Sequence, residues 1–214
     1  MIRPVLAALA LLAAVPAQAE SYAILLGSRQ IGTLQTSGSS LVSTLNNTPL
    51  GVADGTFEAG VSAVRLADGG SAQQFVGRNR GSKTRDISVI RQDGRVADVT
   101  VVPADDATDL SAPAAVPAGV LFPPEAMARL EAAGGCPAPM AMYDGRRVVS
   151  IATLSSAQVN GETVCEMSYR VSAGKGHLSP FNFKSLAMEL AYSGGALARI
   201  TVSAGGFDVS MVAR

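Results

Sequence analysis

The chain has 214 residues, with 22 Gly, 11 Pro, 2 Cys, 1 His and no Trp, and its 17 basic side chains balance 17 acidic ones. One histidine and two cysteines cannot assemble a conventional zinc, haem or iron–sulfur site, so no metal site and no cofactor are expected. Zero formal charge argues against a nucleic-acid partner, which would call for a basic face.

Arg3 precedes an apolar run, Val5 to Val15, that ends in Ala17-Gln18-Ala19. The run is shorter than the about 20 residues of a spanning helix, and small residues before Glu20 suit signal peptidase, so residues 1–19 read as a signal peptide cleaved after Ala19. No cysteine stands just after the run, which argues against a lipid anchor, and no later segment has transmembrane length. Without Arg3, the remaining 20–214 carry 16 basic and 17 acidic groups and form a single exported domain, with the periplasm as the expected compartment.

From Glu20 onward the leading pattern is alternation at period two between turn signals. Strands are predicted over 21–26, 31–36, 41–46, 57–67, 72–78, 83–91 and 95–102. Gly27-Ser28, Asp54-Gly55, Asp68-Gly69-Gly70, Asp93-Gly94, Asp144-Gly145, Asn160-Gly161, Ser193-Gly194-Gly195 and Gly205-Gly206 are the candidate chain reversals. Within the first group, Arg78, Arg80, Lys83 and Arg85 are four cations in eight residues, with Asn79 to Ser82 read as a turn. They are a candidate anion-binding site for a headgroup or a glycan phosphate, or else a solvated hairpin mouth that keeps a strand end soluble.

Pro103 to Gly119 lacks periodicity and reads as an exposed loop. A short helix over about 123–133 follows: Pro123 and Pro124 suit a first turn, Glu125 complements the helix dipole, Met127 and Leu130 share a face, and Gly134-Gly135 end it. Arg146 and Arg147 should then leave their strand on opposite faces, and whichever is buried would need a carboxylate. Cys165 alternates inward with Met167, Tyr169 and Val171, and in an oxidising compartment it is expected to pair with Cys136. The last strands place Leu186, Met188, Leu190 and Tyr192 on one face, then Ala198, Ile200 and Val202, then Phe207, Val209 and Met211. About a dozen antiparallel strands cannot stay flat. The fold class is therefore all-β, a mostly antiparallel meander curved into a barrel-like or spiral sheet, or split into a sandwich, with one short helix.

The order of elements also resembles a known family. Tyr22-Ala23-Ile24-Leu25-Leu26-Gly27 with Ile31-Gly32, the hairpin Ile87 to Val96, a Pro-rich loop, a short helix, and Cys136, Tyr143-Asp144-Gly145-Arg146-Arg147 and Cys165 are similar to exported bacterial proteins grouped as domain of unknown function 3108. The chain departs from that pattern at Phe122-Pro123-Pro124-Glu125-Ala126-Met127. The resemblance implies a β-rich periplasmic envelope protein and carries over no catalytic residue.

Function is bounded rather than named by these features. His177 with a serine and Asp144 or Asp208 could compose a hydrolase triad, but no G-x-S-x-G elbow accompanies it, so no catalytic residue is assigned and an enzyme is not expected. A structural or binding role toward an envelope component is the leading expectation. The alternative is a carrier of a hydrophobic ligand or lipid, because 48% apolar residues with few aromatics can enclose a cavity as well as fill a core.

Overall fold

The computed structural model describes residues 20–46, 48, 54–176 and 182–214. The expected signal peptide, 1–19, and His177 lie outside the described residues. Thirteen strands form one antiparallel sheet: β1 (Glu20–Leu26), β2 (Arg29–Ser37), β3 (Ser40–Leu45), β4 (Gly55–Arg65), β5 (Ser71–Arg80), β6 (Arg85–Gln92), β7 (Arg95–Val102), β8 (Met140–Tyr143), β9 (Arg147–Val159), β10 (Glu162–Gly174), β11 (Ser185–Ser193), β12 (Ala196–Ala204) and β13 (Phe207–Ala213). The turn chemistry explains the meander. Asp93-Gly94 has φ of 51° and 74°, and Asn160-Gly161 has 51° and 85°, the two successive left-handed residues of a type I′ turn whose twist matches that of its strands.

Asp54-Gly55, a candidate reversal, instead leads into β4, and β5 runs on to Arg80, which moves the turn before β6 to residues 81–84.

The sheet is not a simple end-to-end meander. In spatial order it runs β7-β6-β5-β4-β3-β2-β1-β13-β12-β11-β10-β9-β8, because β1 pairs with β13, Ile24 opposite Met211. The first and last strands thus lie side by side in the middle of the sheet, and its outer strands, β7 and β8, come from the middle of the sequence. A 37-residue crossover, 103–139, joins those edges.

That crossover contains one helix, α1 (Pro123–Glu131), which touches β2, β3 and β4 as well as β8 and β12. In a flat sheet β4 and β8 would be separated by about 40 Å at roughly 4.8 Å per strand. One short helix reaches both only because the sheet curls around it. Pro124, Ala126, Met127 and Leu130 are its buried residues, and Glu125 reaches back to accept the Phe122 N–H at 2.8 Å, which fixes the first turn.

Two apolar clusters result. The larger gathers Ala126, Met127 and Leu130 of α1 with Tyr22, Ile24, Leu34, Val149, Ile151, Met167, Leu190, Tyr192 and Ile200. The smaller joins Phe75, Ile87, Val89 and Val101 of β5–β7 to Leu110, Val120 and Phe122 of the crossover and to Tyr143 and Val148.

Several expectations are corrected here. The segment 103–119 is mostly exposed but is not a passive loop: it forms three 3-10 turns, Ala104–Asp106, Asp109–Ser111 and Pro113–Ala115, and buries Leu110 to 7% exposure. In β12, Leu197 is buried where Ala198 was expected, because the register slips between Ala191 and Tyr192 and leaves Ala198 as the extra residue of a bulge. Phe207 is 50% exposed, since it starts β13 at the tip of a hairpin opposite Ala204, beyond the Ala187–Ser203 pair where β11 begins its pairing with β12.

Candidate functional site

The densest polar constellation lies where the crossover meets the turn between β8 and β9. Asp144 Oδ1 accepts the N–H groups of Arg146 and Arg147 at 3.0 and 2.9 Å, an Asx-type turn. Gly145 occupies φ +90° against β6, where an added Cβ would lie 2.4 Å from Ile87 Cγ2. No other residue type combines that dihedral with that approach.

From this turn, hydrogen bonds run to the 3-10 segment facing it. Thr108 Oγ1 donates to the Arg146 carbonyl at 2.7 Å, Ser111 Oγ donates to the Gly145 carbonyl at 3.0 Å, and the Tyr143 hydroxyl donates to the Leu110 carbonyl at 2.5 Å. Burial, with the Asp144 charge adding to it, pushes the Tyr143 phenol up, so it stays a donor. The turn and the crossover are held as one unit.

The arginines divide the work. Arg147 pairs with Asp144 at 2.9 Å and donates to the Gly176 carbonyl at 3.0 Å. Arg85 engages Asp106 Oδ2 through Nε at 2.6 Å and Nη2 at 2.5 Å. For Asp106, desolvation raises the pKa, but the Arg85 hydrogen bond and charge outweigh it, and the carboxyl sits below its ordinary range. Arg146 is the buried member of the Arg146–Arg147 pair, 6% exposed, and lies in the turn just before β9 rather than on the strand. The expected carboxylate partner is absent among the described residues: Arg146 Nε donates to the backbone carbonyl of Asp106 at 2.6 Å instead. The crossover supplies a carbonyl there because Asp106 has already committed its carboxylate to Arg85.

The candidate anion-binding residues are not gathered into one pocket. Arg80 pairs with Asp86 at 2.6 Å on an exposed surface and lines a shallow open depression of about 170 Å³ with Asn79, Gly81 and Ser82. Arg85 is the Asp106 partner already described. Arg78 and Lys83 are exposed and make no ion pair among the described residues. Asp144 caps its turn, and Asp208 accepts from Ser203 Oγ at 2.6 Å, so both acids considered for His177 have structural bonds of their own.

Cys136 and Cys165 form the expected disulfide, with Cα atoms 5.5 Å apart, joining the segment after α1 to β10. Beside it, Arg129, Ala132, Ala133, Cys136, Pro137 and Ala138 line a second shallow pocket of about 260 Å³.

Two further constellations escaped the sequence reading. Arg91 lies with its guanidinium carbon 4.5 Å from the Phe122 ring centre, pairs with Glu125, and donates to the Val120 carbonyl at 2.8 Å and to Gln73 Oε1 at 2.6 Å. Phe122 in turn stacks on Phe75 at 5.0 Å. Glu131, at the end of α1, accepts hydrogen bonds from Thr36 Oγ1 at 2.5 Å and the Tyr22 hydroxyl at 3.2 Å. Desolvation outweighs those bonds and holds its carboxyl above the ordinary range. The Tyr192 hydroxyl donates to the Leu130 carbonyl at 2.8 Å, and burial pushes this phenol up to about 12. The legible traces of these contacts were local: Thr108-x-x-Ser111 is a capping pattern and Leu110 a lone apolar residue in a polar stretch. The partners of Glu131 and Arg91 left no local trace.

No helix among the described residues is long and apolar enough to cross a membrane. No protein-family model matches the chain, so placement in domain of unknown function 3108 is not shown, and no curated protein is similar to it. Among solved structures, the chain is similar to a β-barrel-like protein of domain of unknown function DUF1849 from Brucella abortus, with a TM-score of 0.46 and 13% identity over 92% of this chain and 95% of that one.

Proposed function

We propose that this is an exported, non-catalytic envelope protein of the bacterial periplasm, which presents the outer surface of a filled, curled sheet to another envelope component. One observation carries the reading. The space a curved sheet would offer an acyl chain is taken by the chain itself, with Ala126, Met127 and Leu130 in one cluster and Leu110, Val120 and Phe122 in the other. A hydrophobic-ligand carrier needs that volume open, usually about 300 Å³ or more, largely apolar and enclosed. Both pockets described above are smaller and open to solvent. The export half of the proposal is supported by the segment ending at Ala19 and by the Cys136–Cys165 disulfide, which suits an oxidising compartment. No role in catalysis is given to His177.

Native mass spectrometry of the full-length gene product, purified from the periplasmic fraction without detergent, tests both halves. The expected species begins at Glu20, carries one disulfide and has no bound lipid. A stoichiometric acyl-chain adduct would overturn the scaffold reading in favour of a carrier, and recovery only from the cytosol with two free thiols would overturn export.

A further inference from the structure

Arg146 presents an unusual balance. Its side chain is 6% exposed, its Nε is satisfied by the Asp106 carbonyl, and Nη1 and Nη2 donate to nothing among the described residues. Burying a guanidinium is costly unless its donors are met. Its terminal nitrogens are nevertheless not sealed off, since neither is among the fully enclosed polar atoms. The terminal nitrogens therefore keep a small contact with solvent at the end of a buried stem.

Charge completes the picture. The groups acting on Arg146 are the cations of Arg85 and Arg147 and the carboxylates of Asp106 and Asp144. Each carboxylate is already engaged, Asp106 by Arg85 at 2.5 Å and Asp144 by Arg147 at 2.9 Å. One positive charge, that of Arg146, is left without a counter-ion, and Lys83, which acts on the same Asp106 from an exposed turn, brings a second. A planar fork with uncompensated positive charge matches the oxygens of a phosphate group better than a point cation does.

We propose that the Asp144–Arg147 turn is a receptor for one phosphate group, bound by the terminal nitrogens of Arg146, with Arg85 and Lys83 at the rim. The turn is built for it. Asp144 and Gly145 set the backbone, Thr108 and Ser111 occupy the two carbonyls of the turn, and the Asp106 carbonyl orients Nε. This deepens the binding side of the function proposed above and rests on it, because the phosphate would be the feature through which an envelope component is recognised. A soluble phosphate monoester and an anionic phospholipid headgroup share that chemistry.

The decisive measurement is a titration of the full mature chain with inorganic phosphate at constant ionic strength, followed through the arginine Nε–Hε resonances. The Arg146 signal should shift saturably, and the Arg85 signal should report an apparent affinity at least tenfold weaker in Arg146→Gln and unchanged in the exposed control Arg78→Gln. Shifts no larger than those produced by chloride, or equal affinity in Arg146→Gln, overturn the proposal. Should Arg146→Gln fail to fold, the wild-type Arg146 resonance decides alone, because a resident phosphate must move it and a purely structural arginine will not respond. Flotation with phosphatidylglycerol against phosphatidylcholine vesicles then separates the sources: Arg146-dependent flotation assigns the headgroup, and phosphate binding without flotation assigns the soluble anion. If phosphate fails to bind while the protein remains lipid-free, the site is lost and the scaffold reading stands.

Discussion

The two apolar clusters of this molecule are closed by different chemistry. Around α1, β1, β2 and the C-terminal half of the sheet are packed mainly with aliphatic and Met side chains, with Tyr22 and Tyr192 among them, and tied by the Cys136–Cys165 disulfide across 29 residues of sequence. Under the first part of the crossover, β5–β7 are closed by aromatic stacking of Phe122 on Phe75, by Arg91 over the same ring, and by the Arg85–Asp106 pair. One region is held by a covalent link, by packing and by the hydrogen bonds of Tyr192, Tyr22 and Thr36 to the end of α1. The other depends on directional contacts that all pass through a single segment, 103–122. The difference teaches where the curled sheet depends on its crossover: no ladder joins β7 to β8 directly, and closure rests on these side chains together with backbone bonds of the crossover, from Gly119 N–H to the Gly94 carbonyl and between Leu121 and β8.

Removing the ring on which that second region converges should have the largest effect. Phe122 is fully buried, and Phe122→Ala should destabilise the protein by about 3–5 kcal/mol through the lost transfer energy and the cavity left behind. Urea denaturation at neutral pH measures it. A loss below about 1 kcal/mol, within the range of ordinary surface substitutions and far from that of core ones, would mean that closure does not pass through this ring.

The covalent region should respond nearly as strongly but by another route. Replacing Cys136 and Cys165 together by Ala should cost about 3–4 kcal/mol, mainly because the unfolded chain regains the freedom of the closed loop. Comparing the variant with reduced wild type separates the loop term from packing at Cys165; equal stability of oxidised and reduced wild type would remove the staple from the comparison.

The smallest effect has the opposite sign. Glu131 accepts from Thr36 and Tyr22 without a cation partner among the described residues, and its carboxyl is raised by burial. A group raised in the folded state holds its proton more tightly there than in the unfolded chain, so the stability linked to it is complete below the ordinary carboxylate range and declines as pH rises through the folded value. Glu131→Gln keeps an oxygen for both hydroxyls and removes the charge. Its melting temperature should exceed that of wild type near neutral pH, with the gap closing near about pH 4, the ordinary carboxylate range. A variant less stable than wild type at neutral pH would show that the charge itself is needed at the end of α1.

Much of this architecture is legible without coordinates, for reasons that can be named. Strands of period two bounded by Asp93-Gly94 or Asn160-Gly161 are local signals, because turn geometry and side-chain alternation are both properties of a few adjacent residues. Inward Cys165 and the short helix after Pro123 belong to the same class. Where the reading fell short, a second element was always involved. Phe207 alternates correctly but has no layer to face, Ala198 is displaced by a bulge set by β11, and Leu110 is drawn inside by β5–β7. Of the candidate site, Arg85, Arg146 and Arg147 stood out as charges, whereas Asp106, Thr108 and Ser111 were hidden in a segment without periodicity.

By itself, then, the sequence determined an all-β antiparallel chain, most of its hairpins, the short helix after Pro123 and its cysteine pair, since each is encoded within a short window or a residue type. Only the tertiary structure decided that β1 lies beside β13, that the sheet opens between β7 and β8, and that the crossover turns inward to fill it. Those choices depend on pairing and burial between residues distant along the chain. No turn residue records them, and they are settled only by which apolar faces can be removed from water together.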